Sequence, residues 1–92
     1  MSVRVRIPSP LRRLTNELDV VSIDAQSVGE LFENLEAAHP GVKSRVCDEK
    51  GRVRRFVNVF VGENDIRYLQ DLDTELKPGD EVAIVPAIAG GR

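Results

Sequence analysis

The residues best suited to chemistry lie at the end of the chain, where Ala89, Gly90 and Gly91 precede the terminal Arg92. No side chain in the first three is larger than a methyl group, so this stretch neither packs well nor prefers one backbone conformation. An enzyme that activates a main-chain carboxylate can close tightly on such a backbone, because no Cβ obstructs it. A frayed chain end is the plainer interpretation. The tail therefore predicts either a reactive terminus presented to another enzyme or a segment without chemistry.

Side chains that usually serve as nucleophile, base or metal ligand are scarce. Cys47 is the only cysteine and His39 the only histidine, and they lie eight positions apart. Such a pair gives little support to a catalytic thiol or a metal site, and His39 is more simply a residue at a helix C-terminus. We expect no catalytic residue of the chain's own, no metal and no bound cofactor.

Composition limits the classes of protein that remain. A chain of 92 residues with 41% hydrophobic and 30% charged residues can bury one core, and a deep catalytic cleft would remove much of it. The formal charge of −2 does not attract nucleic acid or an anionic membrane. We find neither a signal peptide at the start nor an apolar run of about 18 residues. These features predict a small cytoplasmic protein, and a lone cysteine agrees with a reducing compartment.

Seven arginines could nevertheless form one basic face if the first strand lies near the third. They are Arg4, Arg6, Arg12, Arg13, Arg52, Arg54 and Arg55. Nucleic-acid binding is the function this would predict. The net acidity and the lack of any nucleic-acid-binding motif argue against it, and scattered arginines are ordinary on exposed strands. We therefore expect no nucleic-acid partner.

Hydrophobic periodicity predicts the elements of the first half. Residues 3–7 alternate as a strand, 9–16 suit a loop, and Val21 and Ile23 belong to a second short strand. Ser27 with Glu30 three positions later predicts a helix start. The helix's apolar face consists of Val28, Leu31, Phe32, Leu35 and Ala38, and residues 39–41 end it.

The second half predicts three more strands. Residues 56–61 are rich in valine and phenylalanine, 62–65 interrupt them, and 66–68 form a short edge strand. A Pro-Gly turn at 77–80 leads into a last strand at 81–86. One main helix must then cover one face of a mixed sheet of about five strands, with the first strand parallel to the last at its centre. The prediction is an α+β protein of the β-grasp (ubiquitin-like) type, with a domain at 1–86 and a flexible tail at 87–92.

Strand alternation places Phe56 and Phe60 on the face opposite the valines of the same run. If the valines join the core, the aromatic side chains stand exposed beside several arginines and form a docking surface. Alternatively, residues 42–53 or 69–76 cover them. The predicted partner-binding residues are Phe60, Phe56, Arg67 and, in the tail, Ile88.

With these elements in place, the chain resembles the MoaD/ThiS family of ubiquitin-like sulfur carriers over nearly its whole length. The segments that carry the resemblance are 27–31, 56–61, 77–82 and 84–91. Within the family, residues 55–58, 64–67 and 86–91 are most similar to the CysO carriers of cysteine biosynthesis.

The resemblance implies that the C-terminal glycine, here Gly91, is adenylated by an ATP-dependent enzyme of the ubiquitin-activating type and converted to a thiocarboxylate. The ATP is used by that enzyme, and the carrier itself has no catalytic residue. The implied sulfur acceptor is a pyridoxal-phosphate cysteine synthase or, for a molybdopterin synthase small subunit, the large synthase subunit. The family also admits conjugation of Gly91 to protein lysines. A non-catalytic β-grasp interaction module is the alternative from another class.

Arg92 departs from the family pattern, in which competent carriers end at the second glycine. In this sequence the carboxylate of Gly91 is in a peptide bond. A peptidase, for which a metallopeptidase is the candidate, would have to remove Arg92. Otherwise the protein is inactive in sulfur transfer, or the last residue is foreign to the natural chain.

Overall fold

The computed structural model describes residues 2–86. Its strands are β1 (Ser2–Arg6), β2 (Val20–Asp24), β3 (Val57–Val61), β4 (Asn64–Asp65) and β5 (Glu81–Pro86). Its α-helices are α1 (Val28–Ala38) and α2 (Val42–Val46), and three 3₁₀ helices cover Ser9–Thr15, Ile66–Tyr68 and Asp71–Asp73. None of the helices in this part of the chain is long and apolar enough to cross a membrane.

The strands form one mixed sheet in the order β2-β1-β5-β3-β4. β1 and β5 pair in parallel, with Val5 opposite Val82, and the other neighbours pair antiparallel. A parallel pair requires a crossover connection, and α1 lies within the one between β1 and β5. The predicted β-grasp fold is confirmed, including the central parallel pair.

Helix α1 supplies one side of the core. Its N-terminus has the predicted cap: the Ser27 hydroxyl accepts the Glu30 N–H at 3.2 Å, and the Glu30 carboxylate accepts the Gln26 N–H at 2.6 Å. The predicted apolar face is buried over Val28, Leu31, Phe32 and Leu35. Ala38 is the exception, because it is exposed in the last turn of the helix.

Two predictions about short segments are wrong. Residues 9–15, expected in a loop, form a 3₁₀ helix that buries Leu11 and Thr15. Residues 66–68, expected as the edge strand, form a second 3₁₀ helix, and the edge strand is the two-residue β4 just before it. The short polar residues of β4 carry no strand signal, so only the ladder with β3 reveals it.

Helix α2 has no counterpart among the predicted elements. It begins after Gly41, whose φ of +102° suits glycine, and its Val42 and Val46 are fully buried. The Glu36 carboxylate of α1 accepts the N–H groups of Gly41 and Lys43 at about 3.0 Å. A five-residue helix is too short for its periodicity to be recognised, and packing against α1 stabilises it.

The turn before β5 aligns that strand with β1. Gly79 has a φ of +86°, and the Asp80 carboxylate accepts the Lys77 N–H at 2.8 Å. The Gly79 N–H donates to the Ser2 carbonyl and the Arg4 N–H to the Asp80 carbonyl, at 3.2 and 2.9 Å. The predicted Pro-Gly turn is confirmed, and it delivers β5 into the middle of the sheet.

Candidate functional site

The end of β5 is where the predicted reactive tail leaves the domain. β5 lies between β1 and β3, and its last residue, Pro86, is opposite Val57. A central strand with partners on both sides has little freedom to move, so the point of departure is defined. The predicted tail residues Ile88, Ala89, Gly90, Gly91 and Arg92 lie outside the described residues.

The sheet face opposite α1 carries a strip of apolar side chains from β3 and β5. Phe60 of β3 lies opposite Ala83 of β5, and Asn58 lies opposite Val85. Phe60 and Ala83 are half-buried, and Val85 is 43% exposed. Val57 and Val59 alternate with Asn58 and Phe60 along β3, so their side chains point to the other face of the sheet, into the core. We call Phe60, Ala83 and Val85 the outer strip.

Phe56 does not belong to this strip as a strand residue. The prediction that β3 includes Phe56 is wrong, because the strand begins at Val57 and Phe56 lies in the preceding turn. Its ring is 55% exposed, with the Arg55 guanidinium carbon 5.5 Å from the ring centroid. Neither of the loops considered above therefore covers it.

Arg67 fastens that turn to the rest of the domain. Its guanidinium donates to the Asn58 side-chain oxygen at 2.7 Å and to the Val57 carbonyl at 2.8 Å. It also reaches the carbonyls of Arg54 and Arg55 at 3.2 and 3.4 Å. Most of its donors are thus engaged within the chain, a role that sequence alone did not indicate, and a contact of Arg67 with a partner stays a prediction.

The 3₁₀ helix Ile66–Tyr68 explains how Arg67 comes to lie there. The Asp65 carboxylate accepts the Arg67 N–H at 2.9 Å, and Ile66 is buried in the core. Because its own N–H is bonded and the residue before it is buried, the Arg67 side chain is directed at the carbonyl groups before β3. An extended conformation at this position, as first predicted, would alternate side chains differently.

Cys47 is the buried thiol of the domain. It is 2% exposed, and burial raises the pKa of its thiol above the usual range. Little of it is thiolate near neutral pH, which makes it a poor nucleophile. Within residues 2–86, no group of three or more histidine, cysteine or acidic side chains could hold a metal ion.

The seven arginines do not merge into one basic face. β5 separates β1 from β3, and Glu81 of β5 lies 3.9 Å from the Arg6 guanidinium. Arg12 turns inward and donates to the Ile7 carbonyl at 3.0 Å. The three arginines at 52–55 are left as a separate group beside the end of β5.

The sheet order, the helix on one face and the strand that leads to the tail define a ubiquitin-like β-grasp protein. The ThiS family model matches residues 5–91. The chain belongs to the ThiS family, which confirms the family resemblance.

Similarity extends over nearly the full length of sulfur carriers of the CysO type. The chain is 39% identical to the sulfur carrier protein CysO of Mycobacterium tuberculosis, over 99% of this chain and all of that protein. It superposes with a TM-score of 0.91 and 38% identity on a chain of the Amycolatopsis orientalis BexX/CysO complex, covering 97% of this chain and 99% of that one. The M. tuberculosis CysO crystal structure gives a TM-score of 0.89 at 37% identity, covering 92% and 98%.

Proposed function

We propose that this protein is a sulfur carrier whose Gly91, after removal of Arg92, is converted to a C-terminal thiocarboxylate. The observation that carries the proposal is the full-length similarity to CysO, a sulfur carrier protein. The fold agrees with it, because the final strand is central and ends five residues before Gly91. A tail of that length can enter the active site of another enzyme while the domain docks outside.

The chemistry proceeds in two steps on the main chain. A carboxylate oxygen of Gly91 attacks the α-phosphorus of ATP and displaces pyrophosphate, giving an acyl adenylate. Hydrosulfide, or a persulfide sulfur with a reductant, then attacks the carbonyl carbon, AMP departs, and a thiocarboxylate remains. An adenylyltransferase of the ubiquitin-activating type supplies the catalytic groups, consistent with the poor nucleophilicity of the buried Cys47 thiol.

Intact mass tests the proposal. The full chain and a chain ending at Gly91 are each incubated with ATP, hydrosulfide and a CysO-type adenylyltransferase. We expect the trimmed chain alone to gain the mass of one oxygen-to-sulfur exchange, since only it has a free Gly91 carboxylate. A metallopeptidase that removes Arg92 from the full chain should restore the reaction. A trimmed chain that consumes no ATP and gains no mass would leave the interaction module as the better explanation.

The outer strip is the proposed docking surface for that adenylyltransferase. Phe60 is a large aromatic side chain at its centre, opposite Ala83 of the strand that leads to the tail, and aromatic residues of this kind dominate interface energies. We expect Phe60→Ala to raise the KM for the trimmed carrier about tenfold and to leave kcat unchanged.

Leu18→Ala is the matched control, because Leu18 is 48% exposed and precedes β2 at the far edge of the sheet. Thermal unfolding of both variants checks that each is folded at the assay temperature. An unchanged KM for folded Phe60→Ala would exclude the outer strip from the interface.

The proposed acceptor of the sulfur is a pyridoxal-phosphate cysteine synthase, in keeping with the CysO relatives. The thiocarboxylate carrier is offered separately to that enzyme with an activated serine, whose leaving group the sulfur displaces, and to a molybdopterin synthase large subunit with its sulfur-free pterin precursor. Formation of cysteine bound to the carrier supports the first acceptor, and formation of molybdopterin supports the second.

A further inference from the structure

The turn before β3 concentrates positive charge on an acidic protein. Arg52, Arg54 and Arg55 lie within four positions, whereas the whole chain has a formal charge of −2. Without the charges of these three arginines, the formal charge of the remaining residues is −5. All three are exposed, and none forms an ion pair with a carboxylate of residues 2–86. With Phe56, we call them the arginine turn.

Hydrogen bonds hold the arginine turn in one conformation. The Arg54 guanidinium donates twice to the Ser44 carbonyl, at 3.2 and 3.1 Å, and the Arg54 N–H donates to the Val46 carbonyl at 2.9 Å. Arg67 binds the Arg54 carbonyl from the other side. A surface that is ordered before binding loses less conformational entropy when a partner arrives.

All four residues of the arginine turn line a surface cleft of about 480 Å³. Asp48 is the one carboxylate among its lining residues. That group accepts the N–H groups of Lys50 and Arg52 at 2.9 and 3.0 Å, and the bond from Arg52 is the main cause that lowers its pKa. The Asp48 carboxylate is thus already bonded within its own loop. The guanidinium groups of Arg52 and Arg55, and the N–H groups of Arg54 that do not bond Ser44, are left for an outside anion.

The turn also lies next to the point where the tail leaves. Val57, which directly follows it, is the register partner of Pro86, the last residue of β5. An enzyme that binds the tail close to the end of β5 therefore has the arginine turn within its reach. We propose that the arginine turn binds an acidic segment, rich in glutamate or aspartate, on the surface of the protein that receives the tail.

The physical properties of the turn favour a protein carboxylate over a nucleic acid. Guanidinium groups pair with carboxylates in a bidentate way, and Phe56 offers an exposed ring for the methylene groups of a peptide. A nucleic acid carries negative charge along its whole length. Any part of it that extends past the turn would be repelled by the formal charge of −5 on the rest of the chain. The inference rests on the proposed function only for the identity of the acidic partner.

The test is an NMR titration of the full ¹⁵N-labelled chain with a capped hexaglutamate peptide at low ionic strength. We expect saturable shifts at the amides of residues 52–57 and at the arginine side-chain N–H groups. They should be lost with a capped hexaglutamine peptide and weakened by added salt, since screening weakens exposed charge pairs. A double variant, Arg54→Gln with Arg55→Gln, should weaken binding at least about fivefold.

The matched control is Arg4→Gln with Arg13→Gln, which removes the same charge from two exposed positions elsewhere. It should change the affinity less than twofold. Because Arg54 also bonds Ser44, Arg55→Gln alone is measured as well, and the dispersion of each spectrum reports folding.

Three results would overturn the proposal. The first is a hexaglutamate titration without saturable shifts at residues 52–57, and the second is an equal loss of hexaglutamate affinity in both double variants. The third is tighter binding of a single-stranded RNA decamer at the same amides, which would assign the turn to nucleic acid. No ATP or sulfur chemistry enters this titration, so its failure and failure of the proposed sulfur transfer are read separately.

Discussion

Deleting residues 90–92 is expected to abolish thiocarboxylate formation while changing the free energy of unfolding by less than about 0.5 kcal/mol. The reactive carbonyl in the proposed mechanism is that of Gly91, so no other group of the chain replaces it. Among residues 2–86 the buried hydrophobic core extends as far as Ile84 in β5. Intact mass after reaction with ATP and hydrosulfide measures the first effect, and urea unfolding followed by circular dichroism measures the second.

The chain ending at Gly91 serves as the control, because it differs from the deletion variant only by the two glycines. It should react fully and unfold at the same urea concentration. A deletion variant that still gains sulfur would move the reactive group elsewhere in the chain. A marked loss of stability would mean that the tail contributes to the folded domain.

Phe32→Ala, unlike the tail deletion, should cause a large loss of stability. The Phe32 side chain is 1% exposed and is among the largest fully buried side chains of the domain. Truncation of a buried phenylalanine costs about 3–5 kcal/mol, because transfer energy is lost and a cavity remains. A domain of this size has roughly 5–10 kcal/mol in total, so the variant should be close to unfolding. Urea unfolding by circular dichroism gives the difference.

Phe56→Ala is a matched control, since the same atoms are removed from a ring that is 55% exposed. It loses the contact with Arg55, and an exposed cation–π pair contributes about 0.5–1 kcal/mol. We therefore expect the free energy of unfolding to fall by less than about 1 kcal/mol. Equal losses for the two variants would contradict the burial on which the description of the core depends.

Much of the fold was predictable because its long elements have strong local signals. The alternation around Val3 and Val5, the cap at Ser27 and the valines of β3 each predict an element from neighbours a few positions apart. The parallel pairing of β1 with β5 then follows from the order of the elements and the handedness of crossovers. The short elements α2 and β4 were not predicted, because five and two residues are too few to show a periodic pattern.

The candidate site likewise has features that the sequence predicts and features that it does not. The glycines of the tail are recognisable from their residue types, and the family from motifs along the chain. The residues around the end of β5, where the tail begins, cannot be recognised from the sequence, because they are brought together by contacts between distant positions. Arg67 reaches Val57 across ten positions, and Pro86 pairs with Val57 across 29.

The sequence by itself determined the β-grasp fold, the family and the glycine that the proposed chemistry uses, because periodicity, capping and tail composition are local properties. Only the tertiary structure decided that Phe60 is half-buried in the outer strip while Phe56 is exposed in a turn. It also decided that Arg67 bonds the carbonyl groups of that turn, while the side chains of Arg54 and Arg55 stay exposed. Burial and hydrogen-bond partners arise when distant segments meet, and no local pattern specifies which donors will then be engaged.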